Sequence, residues 1–128
     1  MKILVIDQSP FSRFYLEKSL EGDFSLECLS ELNTIHLQEK IAKLKEEGHS
    51  FDLIFFSIYV EGNIATLINQ GIHSAFGNTP IIITYLEKDA TIVPLKENAN
   101  YDVALAIPFD KEQLSKIVKN TIQEVSTC

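Results

Sequence analysis

The chain has 128 residues, a length that suits one domain with a single hydrophobic core. A hydrophobic content of 45% indicates a folded globular protein and argues against intrinsic disorder. The formal net charge is −7 and Arg13 is the only arginine, which argues against direct nucleic-acid binding, because phosphate contacts need clustered basic residues.

The sequence shows no sign of a membrane span, an export signal or a metal-binding cysteine motif. No apolar run reaches the roughly 18 residues needed to cross a bilayer. The segment MKILVID lacks the charged leader and cleavage site of a signal peptide, so the cytoplasm is the expected location. Cys28 lies in a predicted strand and is expected to be a small buried hydrophobic residue.

The first part of the chain predicts a strand, a helix and a second strand. Residues 2–6 (KILVI) form an apolar run typical of a strand. Ser9 and Pro10 then provide an N-cap and a first-turn proline for a helix that continues to about Leu20. The alternation of apolar and polar residues over 24–29 predicts the second strand.

The middle of the chain predicts a helix, a strand and another helix. Apolar residues recur at helical spacing over 34–47, and Gly48 ends this amphipathic helix. The third strand, over 51–56, is an apolar run that fits a strand buried on both faces of a sheet, and it stops at Ser57. A third helix is predicted over 63–75.

The last part of the chain continues the alternation. A fourth strand is predicted over 80–84, followed by a weaker helix over 88–99 that Pro94 should bend or delay. A fifth strand is predicted over 103–107, and Asp110 caps a final helix. Strands and helices at these intervals predict an α/β fold with a parallel sheet, right-handed crossovers and helices on both faces.

The functional site is expected where the ends of three strands meet. Ligands of open parallel sheets bind at the carboxyl ends of the strands, which here follow Ile6, Phe56 and Thr84. Neither GxGxxG nor GxxxxGK[ST] follows the first strand, so the phosphate loops of those nucleotide-binding folds are absent. We expect a single domain over residues 1–128.

The order of these features resembles the receiver domain of two-component response regulators. The resemblance runs from MKILVIDQSPFSR through FDLIFFSI and PIIITY to ALAIPFDKEQL. It implies a flavodoxin-like (βα)5 fold with strand order 2-1-3-4-5. In that family an acidic pair after the first strand holds Mg²⁺ and an Asp ending the third strand accepts a phosphoryl group. A Thr or Ser ends the fourth strand and a Lys-Pro pair follows the fifth.

The resemblance places altered residues at the metal and phosphoacceptor positions. The acidic pair aligns with Asp7 and Gln8, so one acid is replaced by an amide. Asp7 is either a structural acid that caps the following helix or the remnant of a site. The phosphoacceptor position is Ser57, a poor acceptor unless a base removes its proton. Glu61 and Gly62 stand where the family has Met-Pro; Glu61 either reaches toward a cation or is simply exposed.

The positions at the ends of the fourth and fifth strands are altered as well. Either Thr84 is the switch hydroxyl one place early, or Tyr85 occupies that position and fills space above it. Ile107 stands at the lysine position before Pro108, and an isoleucine cannot bind a phosphoryl oxygen. Ala104 replaces the aromatic switch residue. The resemblance implies a cis Ile107–Pro108 peptide bond.

These departures predict a degenerate receiver, a pseudo-receiver that does not depend on phosphorylation. The site has one carboxylate where the chemistry uses about three, so Mg²⁺ binding is expected to be absent or weak. The loss of this charge should slow phosphoryl transfer by several orders of magnitude. We therefore expect a domain held in one conformation that binds a protein partner, such as a signalling or output protein, and that can form a homodimer. Membranes and nucleic acids are not expected partners.

Two surfaces are candidates for that interaction. Receiver domains use the face formed by the fourth helix, the fifth strand and the fifth helix, and an ordinary solvated surface explains each of its residues equally well. On this face lie Lys88, Ile92, Lys96, Tyr101, Lys111, Gln113 and Lys116. The first helix, with Phe11, Arg13 and Phe14, is a second candidate.

Two other functions stay open. In the first, a phosphoacceptor or small enzyme uses rearranged chemistry: Asp7 or Glu61 takes the phosphoryl group, or Ser57 acts as a nucleophile with Asp7 as its base. No histidine lies where it would complete a hydrolytic triad, which weakens the enzyme form. In the second, a small ligand takes the place of phosphate, although the sequence carries no cofactor motif.

Overall fold

A parallel five-stranded sheet with the order β2-β1-β3-β4-β5 forms the centre of the molecule. The computed structural model describes residues 2–20, 25–30, 34–96 and 98–126, with side chains as far as residue 122. The strands are β1 (Lys2–Ile6), β2 (Ser25–Leu29), β3 (Leu53–Ser57), β4 (Ile81–Leu86) and β5 (Val103–Ile107). The predicted fold class and strand order are therefore confirmed. Residue 24 of the predicted second strand lies outside the described ranges.

The burial of each strand follows its place in the sheet. All five residues of the central strand β3 are buried, as its unbroken apolar sequence predicts. The edge strand β5 is less covered, and Ala104 is exposed. Cys28 of the other edge strand is half-buried, not fully buried as expected, and its Sγ lies 3.4 Å from Oε1 of Glu17. Burial and this carboxylate raise the pKa of the Cys28 thiol to about 11.

The helices begin at the predicted caps. The Ser9 hydroxyl accepts a hydrogen bond from the Ser12 amide (3.3 Å) before α1 (Pro10–Ser19). Asp110 accepts one from the Gln113 amide (2.6 Å) before the C-terminal helix α4 (Lys111–Ser126). Helix α2 is Thr34–Glu46. The third helix, α3, consists of α-helical turns at Ile64–Thr66 and His73–Phe76 that flank a π-helical stretch, Leu67–Ile72.

The predicted helix over 88–99 is wrong. Glu87–Ile92 forms 3-10 turns, and the chain is extended at Val93, which precedes Pro94. A proline disfavours helical geometry in the residue before it and has no amide hydrogen to donate, so the helix does not form. Without that helix, Ile92 and Leu95 are 62% and 65% exposed.

Helices cover both faces of the sheet and create two apolar layers. One layer packs residues of α2 and α3 against one face, including Leu37, Ile41, Leu67 and Ile68. The other packs α1 and α4 against the opposite face through residues such as Leu16, Leu114 and Val118. Both faces of the central strands are thereby closed, and the strand ends stay open. In the described ranges, none of the helices combines the length and apolar character that a membrane crossing requires.

Candidate functional site

A cavity of about 500 Å³ lies at the carboxyl ends of the strands, where the sequence predicts the site. The register brings its parts together, because Ser57 pairs with Thr84 and Leu86 pairs with Ile107. The polar lining consists of Asp7, Gln8, Ser9, Ser12 and Ser57. The apolar and aromatic lining consists of Phe11, Tyr59, Leu86 and Ile107.

Among the described residues, Asp7 supplies the only carboxylate of this lining, and it is 3% exposed. Its Oδ1 accepts a hydrogen bond from the Ser9 amide (2.9 Å), so the side chain stabilises the turn into α1. Burial raises the pKa of Asp7, while the Ser9 amide and the positive charge of Arg13 oppose that rise. Asp7 therefore has a structural part in the turn before α1, whose N-cap is Ser9, and it lines the cavity. Its role as the remnant of a site stays a prediction.

Ser57 is equally buried, and its hydroxyl takes part in the following turn. The Ser57 Oγ accepts a hydrogen bond from the Tyr59 amide at 3.3 Å. In the described part of the chain no hydrogen bond joins Ser57 to Asp7, so the arrangement of nucleophile and base is not formed. The Ser57 side chain thus stabilises the first turn of the β3–α3 loop, at the end of β3.

At the end of β4, neither candidate for the switch residue is among the residues that line the cavity. Thr84 is 2% exposed beside Ser57, and it does not line the cavity. Tyr85 packs on the other face of the sheet with the layer that contains α2 and α3. Leu86 lines the cavity instead, since β4 continues two residues beyond its predicted end.

Tyr59 joins the two loops beside the cavity. Its hydroxyl donates to Oδ2 of Asp89 (2.5 Å) and accepts from the Leu86 amide (2.9 Å). The carboxylate of Asp89 favours the protonated hydroxyl and, with burial, raises the pKa of Tyr59. These two bonds tie the β3–α3 loop to the start of the 3-10 segment. Sequence reasoning missed this tyrosine because no local pattern relates residue 59 to residue 89.

Ile107, which stands where the receiver resemblance expects a lysine, forms part of the apolar wall of the cavity. Ile107 is buried and lines the cavity, and the Ile107–Pro108 bond is cis, as expected. Pro108 is exposed and lies outside the lining. Glu61 is also exposed and outside the lining, and its carbonyl accepts a hydrogen bond from the Thr34 hydroxyl. A positive φ of 106° at the next residue, Gly62, suits glycine at this tight contact.

The donor groups of the cavity do not fit Mg²⁺. One carboxylate, one amide and three serine hydroxyls make up the polar lining and provide a single negative charge among the described residues: Asp7, Gln8, Ser9, Ser12 and Ser57. Mg²⁺ dehydrates reluctantly and prefers several carboxylate oxygens. Among the described residues, no group of three histidine, cysteine or acidic side chains is placed to hold a metal ion.

The predicted interaction face is spread over separate elements. Lys96 lies 6.0 Å from the ring centre of Tyr101, a half-buried residue whose hydroxyl donates to the Pro94 carbonyl. The six residues of the face other than Tyr101, Lys96 included, are exposed. Three are on α4: Lys111, Gln113 and Lys116. On α1, Phe11 and Phe14 are exposed and Arg13 is half-buried.

Several solved structures with this architecture are receiver domains of signalling proteins. The N-terminal domain of a response regulator/sensory box/GGDEF three-domain protein from Carboxydothermus hydrogenoformans matches with a TM-score of 0.78 and 15% identity, over 99% of this chain and 98% of that one. The signal receiver domain of an HD domain-containing protein from Pseudomonas fluorescens gives 0.77 and 16%, over 99% and 98%. The chain has the receiver-domain fold.

A third receiver domain has been solved with its metal. It belongs to a sensor histidine kinase from Pseudomonas aeruginosa and has a magnesium ion coordinated in its active-site cleft. It matches this chain with a TM-score of 0.70 and 18% identity, over 95% of this chain and 97% of that one. No protein-family model matches the sequence, and no curated protein matches it. At sequence identities of 15% to 18%, the similarity to these receiver domains establishes the fold.

The Tyr59 hydroxyl should hold the two loops together. Replacing Tyr59 with Phe leaves the Leu86 amide and Asp89 without this partner, and we expect the protein to lose about 1 kcal/mol of stability. Amide exchange at Leu86 should accelerate, as measured by hydrogen-exchange NMR. Tyr101→Phe is the control, because its hydroxyl bonds the distant Pro94 carbonyl. Equal exchange at Leu86 in both variants would contradict a link between the loops.

Because the pKa of Asp7 is raised in the folded protein, its ionisation should lower the stability of the fold. The folded state binds the Asp7 proton more tightly than the unfolded state, so stability is lost as pH rises from about 3.8 through the folded-state pKa. Asp7→Asn keeps an acceptor for the Ser9 amide without the charge, and should be more stable than the native protein at pH 7. Urea unfolding across this pH range measures the difference, which should shrink as pH falls. A less stable variant at pH 7 would contradict this.

Proposed function

We propose that the chain is a pseudo-receiver that acts without phosphorylation as a protein-interaction module in signal transduction or regulation. The observation that carries the proposal is the composition of the strand-end cavity, where Asp7 is the single carboxylate among the residues that the structure describes. Ser57 and Ile107 stand where the receiver resemblance expects the phosphoacceptor and the lysine. The module is not an enzyme, and it operates in the cytoplasm.

The electrostatics of phosphoryl transfer support this interpretation. The reaction depends on a metal ion and a positively charged side chain that neutralise charge developing on the phosphoryl oxygens. In the described part of the chain no lysine or arginine lines the cavity, and the donor set is poor in carboxylates. The loss of metal ligand, nucleophile and lysine together removes each part of that stabilisation, which preorganised charges normally supply.

The loop contacts indicate how the module could act without a phosphate switch. The hydroxyl of Tyr59 already joins the β3–α3 loop to the segment after β4. A conformation maintained by such bonds needs no phosphoryl group to order it, so partner binding would be constitutive. The proposal therefore includes one stable arrangement of the loops in the free protein.

The partner is proposed to be a protein, including a second copy of this chain. The exposed surface next to β5 combines the apolar side chains of Ile92 and Leu95 with the positive charges of Lys88 and Lys96. Apolar groups bordered by charge are typical of protein-binding surfaces. With a net charge of −7 and no membrane-spanning helix among the described residues, neither nucleic acid nor membrane is proposed as a partner.

Incubation with acetyl phosphate and Mg²⁺ separates this function from its rival. We expect intact-mass spectrometry to show no phosphorylated protein, because a serine stands at the phosphoacceptor position and the donor groups of the cavity do not fit a metal ion. The control is the triple variant Gln8→Asp, Ser57→Asp, Ile107→Lys, which restores the receiver residues and should gain a phosphoryl group. Phosphorylation of the native chain at Asp7, Glu61 or Ser57, located by fragmentation, would instead support a phosphoacceptor with rearranged chemistry.

A further inference from the structure

We propose that the strand-end cavity binds a small organic monocation, a primary ammonium or guanidinium group carried on an apolar body. The cavity combines one buried negative charge with walls of hydrocarbon and aromatic rings. Each of these features selects one part of the ligand. The inference concerns a ligand site and does not depend on the identity of any protein partner.

The carboxylate of Asp7 selects the single positive charge. Asp7 is only 3% exposed. Of its two carboxylate oxygens, Oδ1 alone accepts a hydrogen bond from the described residues. In the described part of the chain Arg13 acts on it by charge at a distance and forms no ion pair with it. A buried carboxylate is costly until a cation or several donors satisfy it, so an ammonium in the cavity supplies what the fold leaves open. A divalent ion would lack further anionic ligands.

The walls select the apolar body. Two aromatic and two aliphatic side chains line the same cavity as the carboxylate: Phe11, Tyr59, Leu86 and Ile107. Aromatic faces attract ammonium and guanidinium groups, and aliphatic groups favour removal of hydrocarbon from water. A ligand with its charge on Asp7 and its body against these walls satisfies both kinds of surface at once.

The volume favours a whole small molecule over a single side chain of a partner. About 500 Å³ falls within the range of small-molecule sites, which is roughly 300 to 1,000 Å³. At roughly 30 Å³ per water molecule, the space holds about fifteen water-sized groups. This is more than one lysine or arginine side chain fills. Anions are disfavoured, since Asp7 repels them and no basic side chain lines the cavity.

The probe is phenethylammonium, added to the whole chain and followed by amide NMR. We expect saturable shifts at residues that line the cavity, such as Gln8 and Ser57. Phenethyl alcohol has the same size without the charge and should bind at least about tenfold more weakly, the loss expected for one charge-assisted hydrogen bond. Phenylacetate should not bind. The absence of saturable shifts with phenethylammonium, or equal affinity for the alcohol, would overturn the proposal.

Two variants locate the binding. Asp7→Asn keeps the acceptor for the Ser9 amide and should weaken phenethylammonium binding at least about tenfold. Phe11→Ala should weaken it severalfold through the lost ring, and Phe14→Ala is the matched control, an exposed phenylalanine on the same helix outside the lining. The amide spectrum of each variant reports its folding. Unchanged affinity in a folded Asp7→Asn variant, or equal losses in the two phenylalanine variants, would overturn the assignment.

Discussion

The properties of the strand-end cavity depend on one charge, the carboxylate of Asp7. Parallel pairing places Ser57 beside Thr84 and Leu86 beside Ile107, so hydroxyl groups and hydrocarbon meet at the edge where Asp7 follows β1. Receiver chemistry requires several anionic oxygens at such an edge to gather a metal ion. A lone buried carboxylate instead has a raised pKa and one hydrogen bond from the chain.

The loops around this charge are organised by ordinary hydrogen bonds. Ser57 accepts from the Tyr59 amide, and the Tyr59 hydroxyl reaches across to Asp89 and Leu86. In this way the residue at the phosphoacceptor position contributes to a connection between loops. Because these bonds are internal to the protein, the arrangement needs no ligand to maintain it. A fixed arrangement of this kind is what a constitutive interaction module requires.

Much of the fold could be predicted because local patterns and packing agree. Apolar runs identified four of the strands and an alternating pattern identified the second. Ser9 and Asp110 marked two helix starts through capping that the structure contains. The alternation of strands and helices gave the parallel sheet, and the resemblance to receivers gave its order. The location of the cavity followed from the rule that ligand sites lie at the carboxyl ends of parallel strands.

The errors have both local and tertiary causes. The helix over 88–99 is replaced by 3-10 turns because Pro94 holds Val93 in an extended conformation. Because β4 extends to Leu86, Leu86 lines the cavity in place of Thr84 or Tyr85. The amino-acid composition marks the ends of strands poorly. Tyr59 could not be identified because its partners are about thirty residues away along the chain.

A titration of the isotope-labelled chain with Mg²⁺ and then beryllofluoride, followed by backbone amide NMR, tests the central claim most directly. Beryllofluoride mimics a phosphoryl group on a receiver only when a carboxylate acceptor and a metal are in place. The account predicts no saturable shifts around residues 7, 8 and 57 and no change elsewhere. Saturable Mg²⁺ shifts at those residues, followed by widespread changes with beryllofluoride, would contradict it.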